Sequence, residues 1–303
     1  MKATQRLVDA NGLRFRVIQA GPQDGMLVLL LHGFPEGALC WRHQIGALAQ
    51  AGYRVWAPDQ RGYGESARPA GVRNYRLPLL AADAFALIDA AGAVSAHVIA
   101  HDWGGAVAWW MAQARPDRVE SLAILNCPHP AVMRRAVLTN PRQMLRSWYM
   151  AFFQLPRLPE ALLGARDGAL LARGLRTSGR RAGAGAGGGA GGGRPAFTAA
   201  ELDEYRRDWR RPGALRAMID WYRALRYPLR MGGRVGAAAA PKIQPRTLLL
   251  WGRRDRALGA ELAQPTLARC AVGRLVLLDD ASHWLQHEEP ERVNAALLAH
   301  LAG

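Results

Sequence analysis

Ala100-His101-Asp102-Trp103-Gly104-Gly105 reads as a strand that turns directly into a helix. Residues 97–100 are a short apolar strand, and residues 103–114 form a helix ended before Pro116. A turn this tight crowds the backbone at its apex, so small residues must flank it. Ala100 and Gly104 supply them. The apex side chain, Asp102, is then held out at the C-terminal edge of a sheet. A carboxylate is already ionised at neutral pH, so it can attack an sp³ carbon and form an ester on the enzyme itself. The competing reading is that Asp102 only caps the following helix. Its partners elsewhere in the chain favour the nucleophile.

Working outward, the first third alternates strand and helix signals. Strands are expected at 14–19, 26–31, 54–57, 97–100 and 119–125, with helices at 40–51, 78–91 and 103–114. The run MLVLLL at 26–31 lacks alternation, as expected of a strand buried on both faces. The pattern resumes with strands at 247–251 and 274–278 and helices at 258–268 and 290–301. This predicts an α/β fold: a mostly parallel central sheet with helices on both faces. Residues 129–242 break the pattern with helical, Arg-rich segments. The expected organisation is a core of 1–128 and 243–303 with a helical insertion at 129–242. Within the insertion, residues 182–193 are only Ala and Gly. They have no apolar area to offset their ordering entropy, so a disordered loop is expected.

Two further motifs converge on the same sheet edge. His32-Gly33-Phe34-Pro35-Glu36 follows the apolar strand directly. A Gly-X-Pro turn can aim the Phe34 N–H inward, where with the Trp103 N–H it would form an oxyanion hole. Asp255 follows the strand ending at LLLWG, and His283 follows the next strand. An acid and a His after successive strands meet the apex residue at one edge, in the chain order Asp102, Asp255, His283. His283 would be the base for water, with Asp255 fixing its tautomer. Asp279, Asp280 and His287 are rivals read as solvated residues. His32, His43, His97, His101 and His129 are read as structural.

Composition excludes other classes. The formal charge is +16, but residues 129–242 hold 21 Lys+Arg against 7 Asp+Glu, and the rest is nearly balanced. No basic stripe interleaves with aromatics in a nucleic-acid module, so specific nucleic-acid binding is not expected, though attraction of the insertion to anionic surfaces is. No apolar run is long enough to span a membrane, and residues 1–12 lack the apolar core of a secretory signal, so no membrane partner is expected. Cys40, Cys127 and Cys270 are far apart and odd in number, fitting neither disulfides nor a metal site. A cytoplasmic location is expected.

HGFPE, Trp41-Arg42-His43-Gln44, Asp59-Gln60-Arg61-Gly62-Tyr63-Gly64-Glu65-Ser66, HDWGG and ASHWLQHEEPE together closely resemble the epoxide hydrolases of the α/β-hydrolase fold. The resemblance runs from about residue 25 to 300. It implies a helical cap inserted after the sixth strand, matching 129–242, and two cap tyrosines that grip the epoxide oxygen. These fall on Tyr149, in WYMAFFQLP, and Tyr222, in DWYRA. Tyr205 and Tyr227 are nearby alternatives. Pro35, Phe153 and Trp284 are expected to line the pocket. The resemblance further implies an epoxide and water as the only small-molecule partners, no cofactor and no metal, and a monomer or homodimer. Haloalkane dehalogenases share the fold but typically carry Asn where this chain has Phe34. Haloacetate dehalogenases use arginines where it has Trp103 and Ala106. A non-catalytic small-molecule receptor would be expected to have lost a member of the triad. Ala100 departs from the Gly more common at its position.

Overall fold

The computed structural model describes residues 3–178, 195–227 and 241–303. The Ala/Gly tract at 182–193 lies outside the described residues. Eight strands form one sheet: β1 (Thr4–Ala10), β2 (Leu13–Ala20), β3 (Leu27–Leu31), β4 (Arg54–Pro58), β5 (Ala96–His101), β6 (Val119–Leu125), β7 (Arg246–Gly252) and β8 (Gly273–Leu278). Their order across the sheet is β1-β2-β4-β3-β5-β6-β7-β8. All pairs from β4 to β8 are parallel, while β1 pairs antiparallel with β2 and β2 antiparallel with β4. β2 alone runs against the other strands, so the sheet is mostly parallel as expected, and β1 is a strand additional to those read above. TQRLVDA is a polar edge strand with little buried surface, so it carries no apolar signal.

Every residue of β3 is buried, as are those of β5. Each such Leu contributes about 1.5–3 kcal/mol by leaving water. The helices α1 (Arg42–Gln50), α2 (Leu77–Ala90) and α3 (Trp103–Ala114) fall between these strands. Separate clusters of buried side chains form on the sheet. One holds Leu29, Leu31, Val98 and Ala100 with α2 and α3. Another holds Val28, Leu30 and Ile99 with α1 and the last helix. Alternate residues of β3 and β5 thus feed opposite layers.

Between β6 and β7 lie α4 (Pro130–Thr139), α5 (Pro141–Arg146), α6 (Trp148–Phe152), α7 (Leu158–Ser178), α8 (Ala199–Trp209) and α9 (Ala214–Arg223). The helical run of α7 is interrupted by non-helical backbone at Ala165, Arg166, Asp167 and Gly168. After β7 come α10 (Ala263–Leu267), then α11 (Leu285–Glu288) and α12 (Pro290–Leu301) beyond β8. Among the described residues no helix is long and apolar enough to cross a membrane.

Candidate active site

Asp102 sits between β5 and α3 with φ 50° and ψ −120°. A side chain at a positive φ is strained, and it persists only where the surroundings enforce it. The enforcement is visible in the neighbouring glycines. A Cβ on Gly104 would lie 2.1 Å from the Leu31 carbonyl oxygen, and one on Gly33 would lie 2.4 Å from the Asp102 Cβ. Ala100 fits fully buried in β5. The Asp102 side chain makes no helix-capping bond. Its Oδ1 instead accepts the Phe34 N–H at 2.9 Å, and its Oδ2 faces His283 Nε2 at 3.6 Å. The helix-cap reading of Asp102 therefore fails. The Phe34 N–H aimed inward by the HGFP turn is occupied by the carboxylate it was expected to serve.

His283 and Asp255 complete the arrangement. His283 Nδ1 donates to Asp255 Oδ2 at 2.7 Å, leaving Nε2 toward Asp102. Asp255 Oδ1 accepts the backbone N–H groups of Ala257 at 2.7 Å and Leu258 at 2.8 Å. Burial would push the His283 ring down, but the carboxylates of Asp255 and Asp102 outweigh it and raise it to about 10. Burial opposes ionisation of Asp102 too. The facing His283 ring, the nearby His101 and the Phe34 N–H prevail, so its carboxyl titrates below the usual range. The resting pair is a carboxylate facing an imidazolium. The rivals Asp279 and Asp280 pair outward with Arg253 and Arg254 at 2.5 Å each.

The tyrosines face this group from the other side. The Tyr222 ring packs edge-on against Trp103 at 4.9 Å, Phe34 at 5.4 Å and Phe153 at 4.8 Å. Tyr149 lies 5.8 Å from both Tyr222 and Phe153. Burial, then the negative charge of Asp102, pushes both phenols far up, so both keep their protons. Buried Arg223 ties the two tyrosine helices together: it donates to the carbonyls of Phe153 at 3.0 Å and Leu155 at 2.6 Å and pairs with Glu160 at 2.5 Å.

Phe34, Trp103, Tyr149, Phe153 and Tyr222 thus form one aromatic cluster. The other two pocket candidates stand aside from it. The Pro35 carbonyl accepts the Trp209 indole N–H at 2.7 Å, and Trp284 packs between His283 at 4.9 Å and Phe197 at 5.8 Å. Tyr205 donates to Glu36 at 2.7 Å, and Tyr227 lies under Arg73.

Around the site, the roles of Asn126, Glu36 and His287 escaped the sequence reading, and His101, read as structural, joins them. Asn126, with φ 44°, donates to Asp255 Oδ2 and accepts the Gly252 N–H at 2.8 Å. His101 bonds the His283 carbonyl at 2.8 Å. A carbonyl only accepts, so His101 carries its proton on Nε2, and its Nδ1 faces Gln286 Nε2 at 3.3 Å. Burial lowers His101 to about 4, leaving it neutral. Glu36 accepts from Tyr205 and from His287 Nε2 at 2.8 Å. His287, read above as solvated, is a correction: it is 1% exposed and bonded to Glu36 and Arg42. The signal for Asn126 was present, a polar residue ending the apolar run of β6. The others pair across 182 to 251 residues of sequence and left no local trace.

An apex carboxylate with a His and an acid on the following strand ends is the arrangement of an α/β-hydrolase. The family described as alpha/beta hydrolase fold matches residues 27–290. The AB hydrolase superfamily protein YfhM of Bacillus subtilis is 42% identical, covering 98% of this chain and 97% of its own. Epoxide hydrolase A of Mycobacterium tuberculosis is 39% identical, covering 99% and 98%. The crystal structure of epoxide hydrolase A from Mycobacterium thermoresistibile superposes with a TM-score of 0.80 at 35% identity, covering 100% of this chain and 99% of that one. The chain belongs to the α/β-hydrolase family, and within it to the epoxide hydrolases.

Proposed function

We propose that this protein hydrolyses an epoxide to a vicinal diol through an ester on Asp102. The observation that carries the reading is the pair of protonated phenols, Tyr222 buried and Tyr149 partly buried, packed in one cluster with Phe34 and Trp103, against an apex carboxylate backed by His283. Asp102 Oδ2 is the attacking oxygen, since Oδ1 is held by Phe34. It bonds to one oxirane carbon while the C–O bond breaks, and Tyr149 or Tyr222 gives its proton to the leaving alkoxide. Ring strain and a phenol donor suffice, so no cofactor or metal is needed.

In the second step His283 takes a proton from water, and the hydroxide attacks Cγ of the ester. The charge that develops on Oδ1 is met by the Phe34 N–H and the Trp103 N–H at the start of α3, whose first N–H groups have no helical partner. Collapse expels the diol oxygen, which takes the proton from His283. The acid regenerated on Asp102 returns its proton to His283, whose resting proton passed to the tyrosinate once the ester had formed. Esterification erases the Asp102 charge, one of the influences that raise His283. The same ring is therefore an imidazolium before ring opening and a base after it.

The division proposed is a core of 1–128 and 243–303 with a cap at 129–242, of which α6 and α9 carry the tyrosines. Phe153 lines the pocket within the cluster, while Trp284 borders it beside His283 and Pro35 through the turn that presents Phe34. Three free, buried cysteines support a reducing compartment, and the cytoplasm is proposed. All the groups named come from one chain, so a monomer or a homodimer would serve. A panel of aryl and aliphatic epoxides beside bromoalkanes tests the activity. Diol from the epoxides is expected. Halide release without diol would make the protein a dehalogenase, and binding without turnover a receptor.

A further inference from the structure

The outer surface of α4, α5 and α6 is apolar and cationic at once. Leu138 is 77% exposed, Leu145 71%, Trp148 65% and Met144 53%. Arg134, Arg135, Arg142 and Arg157 are exposed among them. From residue 130 to 159 the sequence has five Arg and no Asp or Glu. Exposed leucines beside a tryptophan are uncommon on a surface with no partner. This face is also held in place. On its inner side Gln143 donates to the Ala257 carbonyl at 2.8 Å and accepts the Gly259 N–H at 3.1 Å, pinning α5 to the loop after Asp255. Trp148 thus points outward one residue before Tyr149 joins the aromatic cluster.

We propose that this face docks on an anionic lipid bilayer, its arginines against the headgroups and Leu138, Leu145 and Trp148 in the interface. Charge decides the occupant. A second copy packed on the same face would set Arg134, Arg135 and Arg142 against each other, since the bordering acids Glu261 and Glu160 are already paired with Arg146 and Arg223. The segments of this chain outside the described residues, 179–194 and 228–240, also carry Arg and no acid. A polyanion such as RNA would answer the arginines but leave the leucines and Trp148 in water. An anionic bilayer takes both, and Trp favours the membrane–water boundary. The inference does not rest on the chemistry at Asp102.

Co-sedimentation of the full chain with phosphatidylcholine vesicles, with and without about one third phosphatidylglycerol, is the test. At low salt about tenfold more protein should pellet with the anionic vesicles, and salt at about 0.5 M should remove the difference. Leu138→Ser with Leu145→Ser and Trp148→Ser should cut binding to anionic vesicles about tenfold or more, with an unchanged thermal melt. Should that variant unfold, Arg134→Gln with Arg142→Gln must still weaken binding severalfold. Equal binding to both vesicle types would overturn the proposal. So would a folded serine variant that binds like wild type, which would assign the attraction to arginines elsewhere. Self-association abolished by the serine changes would make the face a contact between copies and also overturn it.

Discussion

The two sides of the site are built differently. On the sheet side Asp102, Asp255 and His283 are fixed by hydrogen bonds of 2.7–2.9 Å, at the ends of buried strands. On the helical side Tyr149 and Tyr222 are placed mainly by ring packing at 4.8–5.8 Å on short helices tied by Arg223. Directional bonds to a rigid sheet hold a nucleophile and a base at one angle. Ring contacts fix position less tightly and leave room for a substrate to select among shapes. The ester chemistry belongs to the sheet side, and opening of the ring needs both. Substitutions on the two sides should therefore damage different steps.

The largest separation should come from the phenols. Tyr149→Phe with Tyr222→Phe removes both proton donors and should slow ring opening by up to about 10⁴-fold, the upper end of the range for a lost general acid. Either single change should cost about 10- to 100-fold, because the other phenol remains. Single-turnover kinetics read this step apart from ester hydrolysis. A double variant that opens epoxides at the wild-type rate would place the donor elsewhere.

Asn126→Ala tests the sheet side with a smaller effect. It strips Asp255 of one donor and the Gly252 N–H of its acceptor. Ester hydrolysis should fall about tenfold, with ring opening within a few-fold, as for a lost hydrogen bond to a charged group. Equal loss in both steps would mean that Asn126 supports the fold generally.

The smallest effect is a shift in titration. Followed by NMR, the His283 ring should titrate near the raised value of about 10 in the free enzyme, and clearly lower in Asp102→Ala. The sign follows from charge: a carboxylate favours the imidazolium, so its removal releases the proton at lower pH. In wild type, ring opening should fade as pH falls through the lowered Asp102 value. Ester hydrolysis should speed up as pH rises and His283 loses its proton. An unchanged midpoint in Asp102→Ala would show no coupling across the 3.6 Å gap.

The same contrast governs what the sequence discloses. Asp102, Phe34, Asp255 and His283 each stand in a short motif beside an apolar strand, because the turn at a strand end needs particular residues next to one another. The pairing of β1 with β2 was not legible, since an exposed edge strand has no reason to be apolar. His287 was misjudged because its partners, Glu36 and Arg42, are about 250 residues away and nothing near it announces burial. Tyr149 and Tyr222 came from a resemblance and not from periodicity, as an aromatic in a helix looks the same whether it faces core, solvent or ligand.

The central claim is that the substrate becomes bonded to Asp102. His283→Gln removes the base for the second step and leaves the nucleophile. Mixed with a reactive epoxide, this variant should gain one substrate mass by intact-mass spectrometry, with the adduct on the peptide containing Asp102 and little diol released. Asp102→Ala should gain nothing. Wild type cycled in ¹⁸O-water should acquire label in Asp102, because water attacks Cγ. No adduct in the His283 variant, with label found in the diol alone, would mean that water opens the epoxide directly and that Asp102 is not the nucleophile.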